Sequence, residues 1–267
     1  MKQLLYIVIA VIFFGFTACN TAPKSDSKAK ASDEAVEEVV EVVAAVNTLT
    51  EKEIADGWIL LFDGETTNGW REYDESVFPD TGWHIKDGLL ACENSGNGEA
   101  GFGGDIIYDK QFTNFHFKVE WMIEEGGNSG IFYLAQEIPG KKIWYTAPEY
   151  QILDNFGTHI DNTLGKDGNR KAGSLYDLIP PDPQNALGPM EWNSAEIVSY
   201  EGTIAYKMNG ETTLEYHLWT DEWKAMIADS KFPDFNPDFA DVAKTGYIGL
   251  QDHGHAVWFR NIKIREL

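Results

Sequence analysis

Cysteine is scarce in this sequence: only Cys19 and Cys92 occur among its 267 residues. Cys19 is a candidate for lipid attachment, which would leave Cys92 without a partner, so we expect no intrachain disulfide to hold the fold. Cys92 follows Leu89-Leu90-Ala91, and this context predicts a small, buried apolar residue.

Basic residues are also few, since 21 Lys and Arg stand against 43 Asp and Glu, for a formal net charge of −22. Phosphate binding needs clustered cations, so this balance argues against nucleic acid and anionic lipid as partners. The sequence also lacks a zinc motif, a phosphate-binding loop and a nucleophile elbow. No cofactor is evident, although so acidic a chain leaves a divalent metal such as Ca²⁺ open, with its site unknown.

Long apolar runs are confined to the N-terminus. Leu4 to Phe16 is too short to span a membrane comfortably, and Phe16-Thr17-Ala18-Cys19 resembles a bacterial lipobox. We therefore expect a lipoprotein signal peptide over residues 1–18, a lipid on Cys19 and a tether over residues 19–49. The protein would be exported and held at the outer membrane only by its lipid anchor, in the periplasm or on the cell surface. An ordinary signal peptide or a membrane anchor is the alternative.

From residue 50 onward the sequence is typical of short strands separated by turns. Thr50-Glu51-Lys52-Glu53 fits a capping box for a short helix. Asp87-Gly88 and Asn209-Gly210 are tight-turn signals between apolar runs, and Phe115 to Ile123 alternates cleanly. The exception is an amphipathic stretch that Thr220-Asp221-Glu222 opens, which predicts one helix.

This pattern predicts a single all-β domain over residues 50–267, an antiparallel β-sandwich or jelly roll with one short helical excursion. Alternating βα units are absent from the sequence, which argues against Rossmann and TIM folds. A curved sandwich offers a concave surface for a ligand.

Polar residues interrupt several of the apolar strands. Asn128 follows two glycines before an apolar run, Glu149 and Gln151 lie on one predicted strand, and Gln251 and His253 follow another. Burying such groups costs several kcal/mol unless they are paired, so we expect them to line a cleft. Residues two apart share a face of a strand, so a carboxylate and an imidazole could converge there as acid and base.

Each of these residues also has a structural interpretation. His253 could bond a loop carbonyl, and Glu149 could form a buried salt bridge with Arg260. Asn128 could simply form a bend after its glycines, and Asp154 could cap its strand.

Several sequence blocks occur in a fixed order along residues 57–267. They are Leu61-Phe62-Asp63-Gly64 with Gly69-Trp70, Gly104-Asp105-Ile106, Glu120-Trp121, Gly127-Asn128-Ser129-Gly130-Ile131, Glu149-Tyr150-Gln151-Ile152-Leu153-Asp154, Gly173-Ser174-Leu175-Tyr176-Asp177, Glu191-Trp192-Asn193, Gly249-Leu250-Gln251-Asp252-His253-Gly254 and Phe259-Arg260-Asn261-Ile262-Lys263-Ile264. Together they resemble the 3-keto-disaccharide hydrolase domain family. The resemblance implies a concanavalin-like jelly roll that acts on glycosides already oxidised to a ketone at C3, as 3-keto-glucoside 1,2-lyases and hydratases of the resulting 2-hydroxy-glucal.

The side-chain chemistry of residues in these blocks indicates the following roles. We expect His253 to be the base that removes the C2 proton and Glu149 to be the acid for the leaving oxygen. The expected ligand contacts are the side chains of Asn128, Gln151, Gln251 and Arg260 as hydrogen-bonding groups, Asp154 as an orienting group, and Tyr176 or Trp192 as a stacking ring. The expected partner is a 3-keto-sugar or glycan.

Two other classes of protein remain open from the sequence. One is a non-catalytic carbohydrate-binding module, which the same fold commonly hosts. The other is a glycoside hydrolase that uses two carboxylates such as Glu120 and Glu149.

Overall fold

The computed structural model of the protein describes residues 45–99, 101–157 and 164–267. The predicted signal peptide, the lipidation site at Cys19 and the tether as far as residue 44 lie outside the described residues. Every helix in the described ranges is too short or too polar to cross a membrane.

Two antiparallel β-sheets form the body of the protein, which confirms the predicted all-β jelly-roll sandwich. In chain order the strands are β1 (Ile59–Leu60), β2 (Trp70–Glu72), β3 (Trp83–Lys86), β4 (Leu89–Cys92), β5 (Ile106–Tyr108), β6 (Phe115–Ile123), β7 (Asn128–Ala135), β8 (Glu149–Leu153), β9 (Asn193–Tyr200), β10 (Thr203–Met208), β11 (Glu211–His217), β12 (Tyr247–Leu250) and β13 (Val257–Glu266).

The eight-stranded sheet, here the large sheet, has the order β11-β10-β9-β6-β13-β4-β3, with β1 paired to β13. The five-stranded sheet, here the small sheet, has the order β2-β5-β12-β7-β8. Both sheets pack their inner faces together, because the apolar positions of each strand recur with the period of two that a strand requires. The main core contains Phe117, Val119 and Trp121 of the large sheet and Ile131 and Tyr150 of the small sheet.

The two tight turns predicted from the sequence are present. Asp87 and Gly88 have φ angles of 53° and 77°, and Asn209 and Gly210 have φ angles of 51° and 82°. Positive φ at both central residues is the backbone that matches the twist of a two-residue hairpin, and Asn, Asp and Gly adopt it at the lowest cost.

Helices occupy the start of the domain and the excursion after β11. In α1 (Glu51–Ala55) the hydroxyl of Thr50 accepts from the amide of Glu53 at 3.2 Å, and the Glu53 carboxylate accepts from the amide of Thr50 at 2.9 Å. This reciprocal pair is the predicted capping box. In α2 (Asp221–Ala228) the Thr220 hydroxyl caps the amide of Trp223 at 3.1 Å. A further short helix, α3 (Phe232–Phe235), has no counterpart in the sequence-based prediction.

The packed chain begins a few residues before the predicted boundary at residue 50. Asn47 is buried, and its side-chain oxygen accepts from the amide of Asn261 at 2.8 Å while its amide group donates to the carbonyl of Gly88 at 2.7 Å. These bonds attach the start of the domain to the middle of β13 and to the β3–β4 turn.

A second, smaller apolar cluster covers part of the outer face of the small sheet. Ile107, Phe132 and Ile143 are fully buried in it, and the helical turn Ile143–Tyr145 is packed over the strands there. The rest of this face carries polar side chains, and that is where the cavity described next is found.

Candidate functional site

A cavity of about 200 Å³ lies against the outer face of the small sheet. Its lining is divided between a polar group and a largely aromatic group of side chains. The polar group comprises Asn128, Glu149, Gln151, Gln251, His253, Glu99 and Lys231. The other group comprises the aromatic residues Trp144, Tyr176, Phe232, Phe235 and Phe239, together with Ala147, Pro148, Leu175 and Leu178.

Three adjacent strands position the polar group. Glu149 and Gln151 belong to β8, Asn128 begins β7, and Gln251 and His253 follow β12. In the register of β7 and β8, Phe132 lies opposite Glu149. Because Phe132 belongs to the outer apolar cluster, Glu149 projects from the outer face, while its neighbour Tyr150 points into the main core.

Glu149 is an isolated carboxyl group on this surface. The residue is 7% exposed, and within the described ranges its side chain has neither a hydrogen bond nor an ion pair. Burial raises the pKa of Glu149 well above its usual range, and the carboxylates of Glu99 and Asp105 add to this effect while Lys231 opposes it. Burial therefore favours the protonated form of Glu149, and the salt bridge with Arg260 considered from the sequence is not formed, since Arg260 pairs with Glu120.

His253 lies on a loop that a buried carboxylate fixes. Asp252 is fully buried, and its carboxylate accepts from the amides of Phe102 at 2.9 Å, Gly103 at 2.8 Å and Gly254 at 2.9 Å. Burial lowers the pKa of the half-buried His253 imidazole, with a smaller contribution from the charge of His255. His253 is therefore a neutral base near neutral pH, and Nδ1 of its ring has no partner among the described residues.

The amide side chains of the cavity are incompletely paired. Nε2 of Gln151 donates to Oδ1 of Asn128 at 3.0 Å, but Oε1 of Gln151 and Oε1 of Gln251 are buried without a partner in the described chain. Buried polar atoms are nearly always hydrogen-bonded in folded proteins, so these oxygens are available to the hydroxyl groups of a ligand.

Three residues predicted to contact a ligand are placed elsewhere by the structure. Asp154 accepts from the amides of Gly126 at 2.8 Å and Phe156 at 2.9 Å, which is the turn-capping role that the sequence offered as its alternative. Arg260 and Trp192 lie outside the cavity and pair with each other, the guanidinium 4.0 Å from the ring centroid. None of these three residues lines the cavity.

Glu120, the ion-pair partner of Arg260, lies on the opposite side of the sandwich from Glu149. Nε of Arg260 donates to the Glu120 carboxylate at 2.7 Å, and the two residues lie opposite each other in the register of β13 and β6. Both are half-buried on the outer face of the large sheet, whereas Glu149 is on the outer face of the small sheet. A pair of catalytic carboxylates formed by Glu120 and Glu149 is excluded because the whole sandwich separates them.

Sequence reasoning missed the wall that the excursion after β11 contributes. Lys231, Phe232, Phe235 and Phe239 come from α3 and its flanks, and Trp144 comes from the turn Ile143–Tyr145. These residues have no strand periodicity to indicate which side they face. The one available signal was the length of the segment between β11 and β12.

Metal binding gains no support from the described part of the chain, which contains no group of three or more His, Cys, Asp or Glu side chains arranged to hold an ion.

Comparisons with known proteins agree with this architecture. Residues 57–265 match the pattern of the 3-keto-alpha-glucoside-1,2-lyase-like domain. The whole chain is 42% identical to the whole of a Bacteroides thetaiotaomicron protein named 3-keto-disaccharide hydrolase.

Two crystal structures from Parabacteroides distasonis, both described as candidate glycosyl hydrolases, share the fold. One has a TM-score of 0.74 at 32% identity, over 84% of this chain and 100% of that chain. The other has a TM-score of 0.59 at 26% identity, over 79% of this chain and 99% of that chain. The match of the family pattern spans most of the chain, and the protein therefore belongs to the 3-keto-alpha-glucoside-1,2-lyase-like domain family.

Proposed function

We propose that this protein cleaves 3-keto-glycosides by removing the C2 proton and eliminating the C1 substituent. Water then adds to the resulting 2-hydroxy-glucal, so that the net reaction is hydrolysis. Family membership and the name of the Bacteroides thetaiotaomicron relative support a substrate that carries a C3 ketone.

A C3 ketone makes this route accessible because it acidifies the neighbouring C2–H bond. When a base takes the C2 proton, the electron pair of that bond moves toward C3 and leaves negative charge on the C3 oxygen. Return of that charge forms the C1=C2 double bond, restores the ketone and expels the C1 oxygen, which takes up a proton. The protein must therefore supply a base, an acid and hydrogen-bond donors for the C3 oxygen.

The observation that carries the proposal is that the imidazole of His253 and the buried carboxyl group of Glu149 line the same cavity. Burial lowers the pKa of His253 and raises the pKa of Glu149, so burial favours in each group the protonation state that its role requires. His253 is the base for the C2 proton, and Glu149 is the acid for the leaving oxygen. Gln151, Gln251 and Asn128 bind the sugar hydroxyl groups.

A direct test compares a 3-keto-glucoside with its unoxidised parent, each incubated with the protein and followed by NMR. The proposal predicts that only the keto sugar is consumed and that vinyl signals of the 2-hydroxy-glucal appear before 3-keto-glucose accumulates. Equal consumption of the unoxidised glucoside would contradict it. Binding of glycans with no loss of keto substrate over a long incubation would favour a carbohydrate-binding module.

A two-carboxylate glycoside hydrolase remains a second candidate, now with a different partner for Glu149. Glu99 is exposed and lines the same cavity, so it could replace Glu120 in that scheme. The scheme requires one ionised and one protonated carboxyl group at the scissile bond. It predicts turnover of the unoxidised glucoside in the experiment above and loss of that turnover in Glu99→Gln.

A further inference from the structure

Tyr176 and Lys231 form a fixed pair on the wall of the cavity. Nζ of Lys231 donates to the hydroxyl of Tyr176 at 3.1 Å and also lies 4.4 Å from the centroid of the tyrosine ring. The two residues come from separate segments, since Tyr176 lies in the connection between β8 and β9 and Lys231 immediately precedes α3. Both line the cavity that Glu149 and His253 line.

Other bonds hold this pair against the site. The backbone amide of Tyr176 donates to the carbonyl of Glu149 at 3.0 Å, which places the tyrosine beside the proposed acid. Nζ of Lys231 also lies 3.0 Å from the Asp177 carboxylate, and Nε of Arg170 lies 2.6 Å from the same carboxylate. One carboxylate therefore faces two cations, and Lys231 is held in place by Asp177 as well as by Tyr176.

The donor count shows what this wall can offer a ligand. A lysine ammonium has three N–H donors, of which the Asp177 carboxylate and the Tyr176 hydroxyl take two. Because the Tyr176 oxygen accepts from the ammonium, its own proton is free to be donated, and a cationic donor strengthens that donation. Within the described ranges Lys231 is the one lysine or arginine that lines the cavity.

We infer that the Tyr176 hydroxyl donates to the C3 oxygen as that oxygen becomes negative, and that Lys231 is the positioning residue that holds and polarises the hydroxyl. The inference rests on the proposed elimination, which is the reaction that develops charge at this oxygen. Tyr176 then acts as a hydrogen-bond donor in the transition state, in addition to any stacking of its ring on the sugar. Preorganised donors of this kind are most effective where water is excluded.

The test isolates proton removal from the later steps. 1,5-Anhydro-3-keto-glucitol has no exocyclic leaving group at C1, so the glycosidic elimination cannot occur and proton removal in D₂O is measured as exchange of the C2 proton for deuterium. Tyr176→Phe keeps the ring, its packing and its contact with Lys231 but removes the hydroxyl. We expect this variant to exchange the C2 proton about 10²-fold more slowly, with KM and Tm close to those of wild type.

A matched control exists outside the cavity. Tyr145 also lies beside a lysine, with Nζ of Lys141 4.5 Å from its ring centroid, but it does not line the cavity. Tyr145→Phe and Lys141→Met should therefore leave the exchange rate unchanged. Lys231→Met should slow exchange in the same way as Tyr176→Phe, and Lys231→Arg, which keeps a cationic donor, should recover part of the rate.

The outcomes separate this inference from the reaction it assumes. If the wild-type protein exchanges C2 and Tyr176→Phe does so at the same rate, the donor role is overturned while the elimination stands. The donor role is likewise overturned, and the elimination still stands, if Tyr176→Phe raises KM or lowers Tm and leaves kcat unchanged. If the wild-type protein neither exchanges C2 nor converts a 3-keto-glucoside, both proposals fail together.

Discussion

Gly130 makes room for Glu149. A Cβ atom built on Gly130 would lie 2.3 Å from Oε1 of Glu149 and 2.9 Å from its Cδ, far inside van der Waals contact. Gly130 is on β7 and Glu149 is on the neighbouring strand β8, so the carboxyl group leans across the strand in front of the glycine. Because glycine has no Cβ atom, the carboxyl group of Glu149 can occupy this position beside the cavity.

Gly130→Ala should therefore reduce activity mainly through Glu149. The new methyl group must displace the carboxyl group, and a displacement of this size at a catalytic group costs on the order of 10²-fold in rate. We expect kcat on a 3-keto-glucoside to fall with KM little changed. Steady-state kinetics on the purified variant would measure both.

Combining Gly130→Ala with Glu149→Ala checks the cause. Two changes that act through one group are not additive, so the double variant should be no slower than Glu149→Ala alone. Additive losses would show that the glycine serves the reaction by another route.

Replacing His253 should remove the base. His253→Ala should lower kcat by about 10²- to 10⁴-fold, the range that a positioned acid or base contributes. His217→Ala is a suitable control, because His217 ends β11 in the large sheet, where it is exposed and does not line the cavity. Turnover by His253→Ala close to the wild-type rate would remove His253 from the mechanism.

The buried carboxyl group of Asp105 should make stability depend on pH. Burial raises its pKa from 3.8 to about 7, although the carboxylate oxygen accepts from the amide of Asp252 at 3.0 Å. Because the folded state keeps this proton to higher pH than the unfolded chain does, its stabilisation is complete below pH 3.8 and is lost as the pH rises to about 7. A shift of this size corresponds to about 4 kcal/mol.

Asp105→Asn keeps the oxygen that accepts from Asp252 and removes the titration. We expect its free energy of unfolding, measured with urea, to fall less between pH 4 and pH 7 than that of the wild type. Asp238→Asn, at an exposed position, should leave the pH dependence unchanged. An identical pH profile for Asp105→Asn and wild type would contradict the assignment of the shift to Asp105.

Arg260 should matter for stability and not for catalysis. Its side chain is 26% exposed where it pairs with Glu120, and a partly exposed ion pair of this kind contributes about 1 kcal/mol. Arg260→Met should lower the free energy of unfolding by about that amount and leave kcat/KM for the keto sugar unchanged. Loss of activity in a variant that remains folded would show that Arg260 contributes to ligand binding or catalysis.

Strand periodicity and turn chemistry made the framework predictable. Phe115 to Ile123 alternates because one of its faces is buried and the other is not, and the Asn209-Gly210 turn depends only on local backbone preference. The polar group of the cavity was predictable for a related reason. Glu149, Gln151 and Gln251 are costly to bury, and their presence in or directly after apolar strands therefore indicated a cleft.

The remaining parts of the site depend on contacts between distant segments. Lys231 reaches the cavity because α3 folds back over the small sheet, and no local pattern in the sequence encodes that return. For the converse reason, the sequence did not show that Arg260 and Trp192 lie outside the cavity. The guanidinium of Arg260 packs against the ring of Trp192 on the outer face of the large sheet, and a sequence does not show that two such residues are already paired.

The fate of the C2 hydrogen tests the central claim most directly. A 3-keto-glucoside can be cleaved in D₂O, and the 3-keto-glucose formed at early times can be examined by ¹H NMR, with spontaneous exchange measured without the protein. Elimination followed by hydration predicts that the product carries deuterium at C2 from the first turnover. Product that retains its original C2 proton would show that the glycosidic bond is broken without proton abstraction, and the proposed roles of His253 and Glu149 would then be wrong.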